Sequence, residues 1–242
     1  MGHLSKTLRA MTLALYSRIE AIERFAADVA HELKNPLTSL RSAVETLPRA
    51  KRAEDRERLN EIIQHDVRRL DRLISDISNA SRLDAELARQ SAERVDMVQL
   101  AEAMVSIQHD IAARRKVDVK LRTDIGRFPA VTLGHDSRLA QVLNNLIDNA
   151  VSLSPEGGTV DVAITTSDDQ IIIIVTDEGP GIRGDISRIF QRFYTDRPEG
   201  EIFGDHSGLG LAISRQIVEA HGGTVEAENR TDRDGARSVR FS

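Results

Sequence analysis

From Leu4 to Leu47 the chain carries one helical pattern interrupted only by Pro36. Ordinary globular helices run ~8–20 residues, so a pattern this long has to find a partner along its length, as a coiled coil or bundle. Leu8, Met11, Leu15, Ile19 and Ile22 step by three and four; from Ile19 through Ile22, Ala26, Val29, Leu33 and Pro36 to Leu40 the alternation is regular. The extra four-step from Leu15 to Ile19 is a stutter, which locally unwinds a supercoil. It is either accidental or a soft joint that passes rotation of an upstream element down the helix. At 100° per residue, Ile22, Phe25, Ala26, Val29, Leu33, Leu37, Leu40, Val44 and Leu47 share a stripe roughly 120° wide.

His31 lies about 180° from the centre of that stripe and so projects into water. Asn35, Thr38 and Ser42 share its side, and Glu32 follows it directly. Taken alone, an exposed histidine is an ordinary surface residue. An imidazole flanked by a carboxylate and a carboxamide, however, suits a chemistry in which histidine is the substrate. Pro36 donates no backbone hydrogen bond and should kink the helix just past this point.

Residues 48–56 are polar, begin with Pro48, and read as a turn. A second helix follows, with Leu59, Ile62, Ile63, Val67, Leu70, Leu73, Ile74 and Ile77 in one stripe. Two antiparallel helices bury little by themselves. Two such hairpins make a four-helix bundle, so a homodimer is the economical arrangement. Residues 84–93 are charged, lack a clear apolar period, and read as a linker.

Composition removes several functional classes. Asp+Glu is 38 against Lys+Arg 33, a net charge of −5, which disfavours nucleic acid as a partner. Aromatics are 3% with no Trp, so base-stacking platforms are not expected. There is no Cys, hence neither a disulfide framework nor a thiolate metal site. No apolar run reaches the ~18 residues that span a bilayer, and no membrane contact is expected of this segment. Lys6 stands where a myristoylation signal wants Ser or Thr.

After Arg94 the pattern turns mixed. Helices are expected near Met97–Ala113, Ser137–Leu153 and Gly208–His221. Strands are expected at Val117–Leu121, Ala130–Leu133, Thr159–Thr165, Ile171–Thr176, Thr224–Glu228 and Ser238–Phe241, with turns or stops at Gly157-Gly158 and Gly222-Gly223. Hairpin-paired strands on one side and helices on the other give an α/β sandwich.

Four motifs follow in order along this half. Asn145 and Asn149 lie i,i+4 on one helical face, and carboxamide oxygens are hard ligands suited to Mg²⁺. Asp177-Glu-Gly179-Pro-Gly181 directly follows an apolar strand. There a carboxylate can accept from the exocyclic amine of adenine, and the glycines let backbone approach a ligand. Ile189-Phe-Gln-Arg192-Phe-Tyr194 packs a segment down with its aromatics and offers Arg192 to phosphate, although core packing alone would explain Phe190 and Phe193. Gly204-Asp-His-Ser-Gly208-Leu209-Gly210 opens a helix, whose free N–H groups bind phosphate oxygens; it is not a Walker A loop. The polar stretch 183–207, with Gly184, Gly200 and Gly204, reads as a lid over the triphosphate.

The string His31-Glu32-x-x-Asn35-Pro36 on an amphipathic helix resembles the phosphoacceptor box of sensor histidine kinases of two-component systems. The four later motifs resemble the N, G1, F and G2 boxes of their ATP-binding domain. The resemblance covers almost the whole chain, and within the family it is greatest to the ChvG-type envelope sensors of alphaproteobacteria. It implies a dimeric four-helix bundle followed by an α/β sandwich of the Bergerat (GHKL) ATP-binding type. The implied domains are the end of a HAMP relay and signalling helix (1–24), a dimerisation and phosphotransfer hairpin (25–83), a linker (84–93) and an ATP-binding domain (94–242).

It also implies an activity: His31 takes the γ-phosphoryl of ATP on Nε2, for transfer to an aspartate of a response regulator. Glu32 would polarise the imidazole through Nδ1, and Asn35 would hold a water that hydrolyses the regulator's phosphoryl group. Asn145, Asn149, Asp177, Gly179, Gly181, Arg192, Gly208, Leu209 and Gly210 would bind ATP, with Asn149 holding Mg²⁺. The parent protein would sit in the bacterial inner membrane with this part in the cytoplasm. The chain departs from the family at Ser152 and Leu153, where many members carry Lys and an aromatic that stacks on adenine, which bears on nucleotide affinity. Two rival readings stand: a GHKL-type ATPase or plain nucleotide-binding module, which would share the four boxes but not His31 and its surroundings, and a histidine kinase acting mainly as a phosphatase.

Overall fold

The computed structural model of the chain describes residues 2–89, 91–167, 170–194, 207–231 and 237–241. The chain divides into two compact units, Met1–Ile77 and Ser78–Ser242.

In the first unit, α1 (Gly2–Thr46) is continuous through both the stutter and Pro36. A short 3₁₀ turn at Leu47–Arg49 reverses the chain. Helix α2 (Ala53–Arg89) starts inside the expected turn, with Glu54 and Asp55 in its first turn, where the helix dipole favours anions. It continues to Arg89, through most of the segment read as a linker.

The apolar stripe of α1 divides in two. Phe25, Val29, Leu33, Leu40 and Leu47 are half-buried, and Pro36 and Ala43 are buried. Ile22, Leu37 and Val44 remain 60%, 51% and 50% exposed. On α2, Leu73 is fully buried while Val67 and Ile74 are exposed. One hairpin therefore leaves part of each stripe uncovered.

Beyond α2, the second unit contains β1 (Glu93–Asp96), which the sequence pattern did not reveal. Asp96 then caps α3 (Met97–Arg114), accepting from the N–H groups of Val98 and Gln99 at 2.9 and 3.2 Å. Next come β2 (Asp118–Asp124), β3 (Val131–Gly134), α4 (Asp136–Leu153), β4 (Thr159–Ser167) and β5 (Gln170–Thr176). A 3₁₀ turn at Ile186–Phe190, α5 (Gly210–Ala220), β6 (Ala227–Thr231) and β7 (Arg237–Phe241) complete the order.

Strands β1 and β3 pair antiparallel as a small separate sheet. The main sheet has the order β2-β4-β5-β7-β6. Its β4–β5 and β6–β7 pairs are antiparallel, whereas β2 and β4 run parallel, an arrangement that a chain of hairpins alone would not give. Strand β4 shows why one face is covered: Val160, Val162 and Ile164 are fully buried and alternate with partly exposed residues. Val95, Met97, Ala101, Ala130, Leu139, Leu143 and Ile164 form a shared core between helices and sheet. Among the described residues no helix is long and apolar enough to cross a membrane.

A candidate phosphoacceptor and a candidate nucleotide site

In the first unit His31 is exposed on α1, as its angular position requires, and Asn35 is exposed one turn further on. Glu32 is not turned to His31. Its Oε2 lies 3.2 Å from Nη2 of Arg69 on α2, with 24% and 29% of the two side chains exposed. Successive helical residues point about 100° apart, which carries Glu32 into the seam between the helices while His31 faces out. Neighbouring Asp66 is buried; its Oδ1 lies 3.3 Å from His65 Nδ1, and its Oδ2 is buried with no partner among the described residues. Periodicity alone did not single out Arg69 or Asp66, since a charge inside an apolar seam is visible only once the two helices are paired.

In the second unit the four motifs converge on one another. Asn145 of α4 donates through Nδ2 to Gly210 O at 3.1 Å and Ser214 Oγ at 3.3 Å, tying the first motif to the helix opened by the fourth. The end of α4 abuts the second motif: a Cβ added to Gly179 would stand 2.6 Å from Asp177 Oδ1 and 3.0 Å from Leu153 O. The third motif closes on the fourth. Phe193 donates its N–H to Gly208 O at 2.9 Å, and a Cβ on Gly208 would lie 2.8 Å from Phe193 Cα. Gly208 has φ +71° and Phe193 φ +61°, both left-handed, so this junction needs a glycine on at least one side. A buried Gln108 on α3 donates to Asn144 Oδ1 at 2.8 Å and braces α4 from the other side; no sequence motif announced it.

Asp177 stands at the end of β5 with 1% of its surface exposed. Oδ1 accepts from the Gly179 N–H at 2.8 Å, and Oδ2 is buried without a partner among the described residues. Burial raises its carboxyl from the ordinary 3.8 to about 6, against the opposing pull of the Gly179 hydrogen bond. Gly181, at φ +74°, turns the chain after it, and Asn229 of β6 clamps the loop by a reciprocal pair with the Ile182 backbone at 2.7 and 2.8 Å.

Asn149 lies half-exposed on α4; its carbonyl accepts from Ser152 Oγ at 2.8 Å, and its carboxamide makes no hydrogen bond among the described residues. Leu209 is fully buried, so only its backbone can face a ligand; Ser207 Oγ accepts its N–H at 3.1 Å. Arg192 is exposed. Residues 195–206, which include Gly200 and Gly204 of the expected lid and the start of the fourth motif, lie outside the described residues.

Comparison with known proteins now bears on both units. Residues 21–86 match the His Kinase A (phospho-acceptor) domain, and residues 134–242 match the histidine kinase-, DNA gyrase B-, and HSP90-like ATPase family. The chain belongs to the sensor histidine kinases. It is 58% identical to the sensor protein ChvG of Rhizobium meliloti (strain 1021) over 241 residues, 97% of this chain and 42% of that protein. It is 57% identical to the sensor protein ChvG of Agrobacterium fabrum over 249 residues, 100% of this chain and again 42% of the relative. The chain thus spans about two fifths of the length of these relatives. Among solved structures, full-length ShkA in complex with AMPPNP superposes with a TM-score of 0.60 at 26% identity, over 89% of this chain and 44% of that one. The expected architecture, a helical hairpin followed by a GHKL-type α/β sandwich, is the one found.

Proposed function

We propose that this chain binds ATP in its second unit, autophosphorylates on His31, and passes the phosphoryl group to an aspartate of a response regulator. The observation that carries this is that one chain holds both an exposed His31 on a matched phosphoacceptor helix and, in its other unit, a buried, half-satisfied Asp177 in the second of four motifs that contact one another in turn. Asp177 Oδ2 is an orphaned buried acceptor, which an exocyclic adenine amine would satisfy. The likeness to a structure holding AMPPNP supports the same ligand class.

The N–H groups at the start of α5, behind Gly208 and Gly210, would take the phosphates, with Arg192 in reach of the tail. Asn149, with its carboxamide unengaged, would hold Mg²⁺ together with the nucleotide's own phosphates. That ion neutralises charge on the transferring phosphoryl group when bound. Asn145 braces α4 against α5 through Nδ2 and keeps Oδ1 for the ligand side.

In the transfer, neutral His31 attacks the γ-phosphorus through Nε2. The Nε2–P bond forms as the bond to the β-phosphate oxygen breaks, and ADP leaves. A carboxylate at Nδ1 favours the Nδ1–H tautomer, which leaves the Nε2 lone pair outward, and takes the Nδ1 proton as the Nε2–P bond forms; Glu32 is the residue to supply it. Asn35 would orient the water that hydrolyses the phosphorylated regulator. The exposed residues of the two stripes, Ile22, Leu37 and Val44 on α1 and Val67 and Ile74 on α2, suit a homodimeric bundle. The full-length protein is anchored in the inner membrane, with this part in the cytoplasm.

The test is incubation with γ-labelled ATP and Mg²⁺, then acid and base treatment. The proposal expects label that survives base and is lost in acid, as phosphohistidine is. Nucleotide binding without any label would leave only a nucleotide-binding module.

A further inference from the structure

Arg69 engages one carboxylate, Glu32, and a second, Asp66, stands three residues before it on α2. Arg69 holds Glu32 across the helix seam at 3.2 Å through a single donor, and among the described residues its Nε is buried with no partner. Asp66 lies three residues earlier on α2, the spacing at which helical side chains meet. Asp66 is 5% exposed, and its Oδ2 is buried and unpartnered, so it is an acceptor poised for a donor that it does not now have. The other titratable group packed there, His65, contacts Asp66 only through Oδ1. A monodentate contact between partly exposed side chains is a weak hold.

We propose that Arg69 is a positioning residue that governs whether Glu32 can serve His31. Paired with Glu32, it keeps that carboxylate in the seam and away from the imidazole. Paired with Asp66, it frees Glu32 to turn towards Nδ1 of His31. The two pairings exchange one ion pair for another inside the same hairpin, so a small shift between α1 and α2 is enough to select one. This inference rests on the reading of His31 as the phosphoacceptor, but its spectroscopic test does not require ATP.

The test uses the whole chain labelled with ¹⁵N-histidine, the His31 signal being assigned by its absence in His31→Gln. Arg69→Met keeps an apolar stem and removes the cation. It should move His31 towards the Nδ1–H tautomer and raise the autophosphorylation rate about two- to five-fold, the range a partly exposed ion pair can hold. Asp66→Asn removes the alternative acceptor and should do the reverse by a similar factor. Arg69→Lys should stay near wild type, and both effects should vanish in a Glu32→Gln background. Should Arg69→Met fail to fold, Asp66→Asn carries the test with the opposite sign. An unmoved tautomer in both variants, or the same direction of change in both, overturns the proposal. A moved tautomer with no label on His31 in any variant would instead sink the phosphoacceptor reading and leave the Arg69 exchange standing.

Discussion

Replacing Asp177 with Asn should make the protein more stable and less able to bind ATP. The folded chain holds this carboxyl at about 6 against an ordinary 3.8, because burial penalises the charged form. A group whose folded value is raised binds more protons in the folded state between those two values. Stability therefore falls as pH rises from about 4 to about 6 and stays at the lower level above that. The difference of about two pH units corresponds to at most about 3 kcal/mol. Asparagine keeps an acceptor for the Gly179 N–H, carries no charge, and escapes the penalty. At pH 7, Asp177→Asn should gain up to that amount, and its advantage should shrink as pH drops towards 4. Urea unfolding followed by circular dichroism at several pH values measures this. ATP binding should be lost, because the amide would turn a donor towards a donor, and in the wild type it should weaken as pH falls through about 6. Parallel stability curves for the two proteins between pH 4 and 7, or wild-type ATP affinity in the variant, would refute the reasoning.

Three further outcomes are expected. Asn35→Ala should keep autophosphorylation within a few-fold but lose most dephosphorylation of the partner, measured as decay of the phosphorylated regulator with ADP and Mg²⁺; equally fast decay would remove the water-positioning role. Gly208→Ala forces a side chain into left-handed backbone and against Phe193, costing about 1–3 kcal/mol locally, and calorimetry should show much weaker ATP binding without loss of the hairpin's helicity. Mixing His31→Gln with Asp177→Ala subunits should restore labelling if transfer crosses a dimer; no restoration despite proven subunit exchange would place transfer within one chain.

Strong local periods were legible in the sequence. The two long helices, α4, and the β4–β5 hairpin follow from apolar spacing over many residues, and the four motifs stand out by an amide pair on one helical face, by glycines next to a strand end or a helix start, and by aromatics beside an arginine. What escaped depends on non-local pairing or on propensity without pattern. Strand β1 has four residues and exists only against β3. Helix α2 runs on through Asp84–Arg89 because Ala, Glu, Leu and Arg favour helix even without an apolar face. Strand β6 starts at Ala227 rather than Thr224, three residues after the expected point. The exposure of His31 could be read from its angle on α1. The engagement of Glu32 by Arg69 could not, because it spans 37 positions and two helices.

The γ-phosphoryl group of ATP is expected to land on His31. The chain has seven histidines, so location of the phosphate discriminates sharply. Peptides from protein incubated with ATP and Mg²⁺, kept at neutral to basic pH and sequenced by tandem mass spectrometry, should carry phosphate at His31, and the His31→Gln protein should carry none while binding ATP as the wild type does. Phosphate on another residue, or undiminished labelling of His31→Gln, would exclude His31 as the phosphoacceptor.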